Sequence, residues 1–188
     1  MLKNIESEIE MIISKSKVPE DLIHSKNTRE WVLKLKPEAD MALQIAALGH
    51  DIERSIEERK IKRENFTDYD EFKKAHSQNS ATILQEILLK YDVNQDFIDK
   101  VVNLILLHEF GGTMEANILK DADSISFFDI NLPFYFQRNS EKETVFRMKW
   151  GYKKLSKAAK SIVKNFSYDN VELEAFFNKI DSQHSDNL

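Results

Sequence analysis

Apolar residues return along this chain at intervals of three and four, the period of a helix half sunk in a core. Ile5, Ile9, Ile12 and Ile13 share one face of a helix predicted over 2–17, and Pro19 stops it. A second helix is predicted over 24–35, carrying Trp31, Val32 and Leu35. Pro37 fits the first turn of a third helix over 38–54, where its missing N–H costs no hydrogen bond. Between Met41 and Leu48 that helix is apolar on most of its surface, which places it in the core. Residues 55–67 are densely charged and read as an exposed loop or a frayed helix end. Phe72, Ala75, Ile83, Leu84, Ile87 and Leu88 predict a long helix over 69–91; Phe97, Ile98, Val101, Val102 and Ile105 predict another over 94–108. Gly111-Gly112 breaks the chain. Helices follow over 114–129, 141–165 and 170–180, with 131–139, which contains Pro133, as a connection and 181–188 as a disordered tail.

These elements predict an all-α fold: one compact helical bundle over 1–188, with its core over about 20–130 and further helices over 141–180. Only 4 Gly and 3 Pro argue against a turn-rich β fold. Hydrophobic residues at 41% supply a core, and charged residues at 31% supply a polar surface. The net charge of -5 argues against strong non-specific binding to nucleic acid or anionic membrane, though it leaves room for a local basic pocket. With no cysteine, thiolate metal sites, disulfides and cysteine nucleophiles are excluded. The opening residues scatter acids among apolar positions and do not form a secretion signal, and the apolar stretch 104–107 is too short to span a bilayer. The expected location is the cytoplasm.

The candidate chemistry lies in histidines. There are five, of which His184 sits in the polar tail. His24, His50, His76 and His108 each lie on or beside an apolar helix, and Asp51 follows His50 directly. Taken singly, each also fits a hydrogen-bonded structural histidine. Asp51 fits a helix-end polar group, and Asp121 and Asp123 fit a solvated face. Together they fit less easily, because an imidazole and a carboxylate at the end of a core helix are costly to bury unless paired or bound to metal.

The ordered set resembles the HD superfamily of metal-dependent phosphohydrolases. The resemblance is carried by HSKNTREWV at His24, QIAALGHDIER at His50-Asp51 and ILKDADSISF at Asp123, and it covers about 20–130. It implies a metal site of His24, His50, Asp51 and Asp123. Asp121 and Asp123 point about 200° apart on a helix, so one metal cannot take both. The family's preceding alanine selects Asp123, leaving Asp121 as support or as the alternative ligand. Binuclear members add two histidines between these motifs, matched here by His76 in KAHSQNSATIL and His108 in ILLHEFGGT. The chain lacks the GYP element of the cyclic-dinucleotide phosphodiesterases, so that activity is not implied.

Arg54 stands where many members carry a lysine, and it fits either a phosphate grip or a solvated helix-end arginine. Glu53 and Glu109 fit proton transfer, ligand support or plain surface charge. Lys26, Arg29, Arg147, Lys149 and Lys153 fit a phosphate-binding rim or solvated charge. The aromatics between Phe127 and Phe136 fit a base pocket or the core. The implied reaction is hydrolysis by metal-activated water, with Asp51 bridging if two ions bind. Nitrogen and oxygen ligands suit Mn, Fe, Co, Ni or Zn, and also Mg. The implied partner is a small phosphate substrate, led by nucleotides, and no membrane. An HD-fold di-iron oxygenase and a non-catalytic nucleotide- or partner-binding module are the alternatives.

Overall fold

The computed structural model describes residues 1–185, with side chains through 180. It is all-helical among the described residues. In chain order the helices are α1 (Leu2–Ile13), α2 (Asp21–Leu35), α3 (Met41–Gly49), α4 (Tyr69–Leu88), α5 (Gln95–Leu107), α6 (Met114–Ser126), α7 (Leu132–Arg138), α8 (Glu141–Lys154), α9 (Lys157–Val163) and α10 (Val171–Ser185). Short 3-10 turns lie at Ile52–Ser55 and Arg63–Asn65, and a π turn at Phe127–Asn131 joins α6 to α7.

Many starts are set by side-chain caps. Asp40, Asp68, Asn94, Thr113, Ser140 and Ser156 each accept the backbone N–H three residues on. Each cap satisfies a donor that the first turn would otherwise leave free, a gain of about 1 kcal/mol. Capping also moves the start of the third helix. Asp40 opens it, so Pro37 lies in the turn before rather than in its first turn.

The apolar side chains form two clusters. One is built from α1, α3, α4 and α5, with Ile9, Leu43, Leu84 and Ile105 among its members. The other gathers Phe128, Leu132, Met148, Val163 and Phe177 from the later helices. Trp31 and Leu35 of α2 touch both. Helix α6 gives Ala116, Leu119 and Ala122 to the first cluster and Ile125 to the second, so the clusters meet along it.

Several predicted elements end differently. Helix α3 stops at Gly49, and a Cβ there would stand 2.8 Å from Leu84 Cδ2. The missing side chain lets α3 approach α4 closely, and the chain then turns out of the helix at His50-Asp51. The expected connection over 131–139 is mostly helix α7, with Pro133 in its first turn. The helix expected over 141–165 breaks between α8 and α9, where Ser156 caps the second piece. Helix α10 continues to Ser185, beyond the predicted tail boundary at 181; residues 186–188 of that tail, and the side chain of His184, lie outside the described residues. No helix among the described residues is long and apolar enough to cross a membrane.

Candidate metal centre

Four imidazoles and two carboxylates meet where the two apolar clusters join. His24 comes from the first turns of α2, His50 and Asp51 from the end of α3, His76 from α4, His108 from just after α5, and Asp123 from α6. All four histidines are buried, as is Asp123, and Asp51 is nearly so.

Hydrogen bonds orient the four rings alike. His50 Nδ1 lies 2.9 Å from the Ala47 carbonyl, and His108 Nδ1 lies 2.7 Å from the Ile105 carbonyl. A carbonyl only accepts, so both rings carry their proton on Nδ1 and turn Nε2 inward. The Ser126 hydroxyl donates to the His24 carbonyl, so its oxygen accepts from His24 Nδ1 at 2.8 Å. His76 Nδ1 donates to Glu53 Oε1 at 2.7 Å. Every Nδ1 is therefore anchored outward and every Nε2 faces the carboxylates.

The inward distances suit shared coordination. His24 Nε2 is 3.3 Å from Asp123 Oδ1 and 3.8 Å from Asp51 Oδ2. His50 Nε2 is 3.4 Å from Asp123 Oδ1 and 3.7 Å from Asp51 Oδ1. His76 Nε2 is 2.7 Å from Asp51 Oδ1, and His108 Nε2 is 3.9 Å from the same oxygen. Two atoms each about 2.1 Å from one cation lie roughly 3–3.5 Å apart. The two Asp123 spacings match this, three Asp51 spacings at 3.7–3.9 Å are somewhat longer, and His76 to Asp51 at 2.7 Å is a direct hydrogen bond. Three ligand groups can be drawn, each with its atoms within 4.8 Å of one another: His24–His50–Asp51, His50–His108–Asp123 and Asp51–His76–His108. Buried Nε2 atoms of His50 and His108 have no hydrogen-bond partner. Such orphaned lone pairs, next to oxygen donors and without sulfur, fit a divalent transition metal.

The electrostatics agree with that donor set. Burial pushes the Asp51 carboxyl up, but His50, His76 and Arg54 hold it well below the usual carboxylate range. Asp123 is likewise held low against burial, chiefly by Lys154 and then by His24 and His50. Burial opposes charge on His50, yet Asp51 and Asp123 carry its pKa up to about 9. His76 is raised against burial by Asp51, while burial lowers His108 and favours its neutral form. Metal binding would compete with protonation at these rings, since a ligating imidazole is neutral.

The remaining candidates divide. Arg54 spans Asp51 at 2.8 Å and Asp21 at 3.1 Å, so its fork positions Asp51. Glu53 accepts from both His76 and the Ile61 N–H at 2.7 Å, tying a ligand candidate to the charged loop. Glu109 is buried between Lys73 and Lys154, the latter 2.5 Å away. Burial raises its carboxyl, but Lys154, Lys73 and His108 hold it well below its ordinary range, and its Oε1 lies 3.4 Å from the inward Nε2 of His108. Asp121 turns away from the cluster and accepts the Ser156 N–H at 3.0 Å, joining α6 to α9. Lys26 and Arg29 pair with Glu10 and Glu6 of α1. Lys149 and Lys153 are exposed and, like Lys26 and Arg29, lie off the cleft beside His76. Arg147 does line that cleft, as do Phe127 and Tyr135; Phe128 packs in the second apolar cluster.

Sequence reasoning missed Lys154. Its ammonium lies 3.5 Å from Asp123 Oδ2 and 2.5 Å from Glu109. It lies on α8, outside the stretch 20–130 that carries the motifs, and nothing in its local pattern sets it apart from other lysines. Ser126, which orients His24, was equally silent.

Fold and site together define an all-helical protein with a buried His/Asp cluster able to hold a metal ion. Residues 5–175 match the family described as a domain of unknown function (DUF4202), and the chain belongs to it. No curated protein and no solved structure matches the chain.

Proposed function

We propose that this protein is an HD-type metal-dependent phosphohydrolase acting on a nucleotide or a related phosphoester or phosphoanhydride. The observation that carries the reading is the common orientation of His24, His50, His76 and His108, each with Nδ1 anchored outward and Nε2 turned toward Asp51 or Asp123. Four separate helical segments have no local reason to do this, whereas a metal centre needs it. His24, His50, Asp51 and Asp123 would hold one cation; His76 and His108, with Asp51 shared, would hold a second. A bound divalent cation supplies a Lewis acid for a phosphoryl oxygen and lowers the pKa of water.

The chain's own groups do the rest. Arg54 fixes the Asp51 carboxylate through Oδ2, leaving Oδ1 toward His50, His76 and His108. Glu53 holds His76 with Nε2 inward. Lys154 occupies the outer side of Asp123, whose Oδ1 faces His24 and His50. Burial excludes bulk water and strengthens each of these interactions.

The test is metal analysis of purified protein, then a nucleotide and phosphoester screen with added Mn²⁺. Phosphate release that depends on the metal is the expected result. Protein that stays metal-free and inert after loading with Mn²⁺, Co²⁺, Ni²⁺ and Fe²⁺ would overturn the reading. Dioxygen consumption by iron-loaded protein, with no phosphate released, would move the assignment to an oxygenase.

A further inference from the structure

The cleft beside His76, about 590 Å³ in volume, is lined by two polar groups that lack a direct hydrogen-bond or ion-pair partner in the protein, the Asn131 Oδ1 and the Arg147 guanidinium. Asn131 lines it, is only 5% exposed, and has an Oδ1 with no hydrogen-bond partner. It is the last residue of the π turn, a local widening of the helix that recurs at functional sites. Arg147, half-buried on α8, also lines the cleft. Among the described residues it makes no ion pair or hydrogen bond. Its guanidinium lies 4.1 Å from the centre of the Phe127 ring and 5.0 Å from that of Trp150, and these rings hold it in place.

Other cations around the site are already committed. Arg54 serves Asp21 and Asp51, and Lys73 serves Glu109. Glu109 and Asp123 act on Arg147 only at longer range, so a directly bound anion would satisfy a partly desolvated guanidinium that has no ion-pair partner. Its planar fork matches two phosphate oxygens at once. A buried amide oxygen without a donor is unfavourable in the same way, and a ligand O–H or N–H relieves it. The cleft also has room for a ring-sized organic group beyond a phosphate, with Tyr69, Phe72 and Tyr135 on its wall.

We propose that this cleft binds a small phosphate monoester, with Arg147 gripping the phosphate and Asn131 accepting a hydrogen bond from the organic part. The proposal rests on the phosphohydrolase reading for its choice of phosphate as the anion. The two free groups stand without that reading.

The test uses the full chain loaded with Mn²⁺ and two probes that cannot be hydrolysed. Methylphosphonate carries the anion alone, and the phosphonate analogue of ribose 5-phosphate adds hydroxyls. Binding is measured by calorimetry, with helical circular dichroism as the check on folding. Wild type binds both, the sugar phosphonate more tightly. Arg147→Ala weakens both probes about tenfold or more, and Arg147→Lys, which keeps the charge but not the fork, falls between. Asn131→Ala weakens only the sugar phosphonate, by about tenfold. Wild type that binds neither probe overturns the proposal. So does folded Arg147→Ala or Arg147→Lys that binds methylphosphonate as wild type does, or folded Asn131→Ala with an unchanged ratio between the probes. Wild type that shows the expected pattern yet hydrolyses no phosphoester defeats the phosphohydrolase reading and leaves this site standing. A chain that hydrolyses phosphoesters with KM unchanged in Arg147→Ala does the reverse.

Discussion

Leu48 and His50 are two residues apart, and both are wholly buried, yet they lie in regions with opposite energetics. Leu48 belongs to the apolar cluster of the first helices, where each buried side chain stabilises the fold by leaving water. His50 belongs to the imidazole–carboxylate centre, where burial is unfavourable and the groups are held by one another. The apolar cluster therefore bears the stability, and it supports a centre that a cation would complete. Substitutions in the two regions should separate accordingly.

The largest effect on stability is expected in the apolar region. Leu43→Ala, on α3 and far along the helix from His50, removes a fully buried side chain. It should lower unfolding free energy by about 2–5 kcal/mol in denaturant titration. Mn²⁺ binding per folded chain should be unchanged; loss of binding in a folded variant would show that the regions are not separable.

The converse belongs to Glu53, which orients His76 without facing the other ligand candidates. Glu53→Gln keeps the shape and removes the charge. Metal affinity by calorimetry should fall about 10–100-fold, with a smaller change in stability than that of Leu43→Ala. Wild-type affinity in this variant would reduce Glu53 to a clamp on the Ile61 N–H.

The smallest effect lies at the start of α3. Burial raises the Asp40 carboxyl, but the Lys100 hydrogen bond and the Leu43 N–H outweigh it and hold the pKa low. A carboxylate with a depressed folded pKa adds stability above its unfolded pKa, and that stability is lost as pH falls through the folded value. Asp40→Ala should therefore cost about 1 kcal/mol at pH 7, and the gap to wild type should narrow below about pH 4. A gap that persists at pH 2 would mean the cap is not the cause.

The two regions also differed in how plainly they could be read from the chain. Periodicity located the core helices because burial of Ile9, Leu43 and Ile105 leaves a local pattern. It ran too far at Arg54 and Asp129, because close approach at Gly49 and the π turn after Ser126 are tertiary events. Proline at 133 suggested a connection, although at a first helical turn it is compatible with α7. The order of His24, His50-Asp51, His76, His108 and Asp123 was legible, and the structure brings all six side chains together. Their supports were not. Ser126 lies 102 positions from His24, and Lys154 lies 45 from Glu109, so neither pairing leaves a local trace. Arg54 and Glu53 were visible as candidates, but their roles depend on Asp21 and His76 across the fold.

The central claim is that the imidazole–carboxylate centre is a metal site with Asp51 as the shared ligand. The direct measurement is calorimetric titration of metal-stripped wild type and Asp51→Ala with Mn²⁺, with circular dichroism to confirm that both are folded. The account predicts saturable binding of roughly one to two ions per wild-type chain and its loss in the variant. Wild type that takes up no ion, or Asp51→Ala that binds as wild type does, would contradict it.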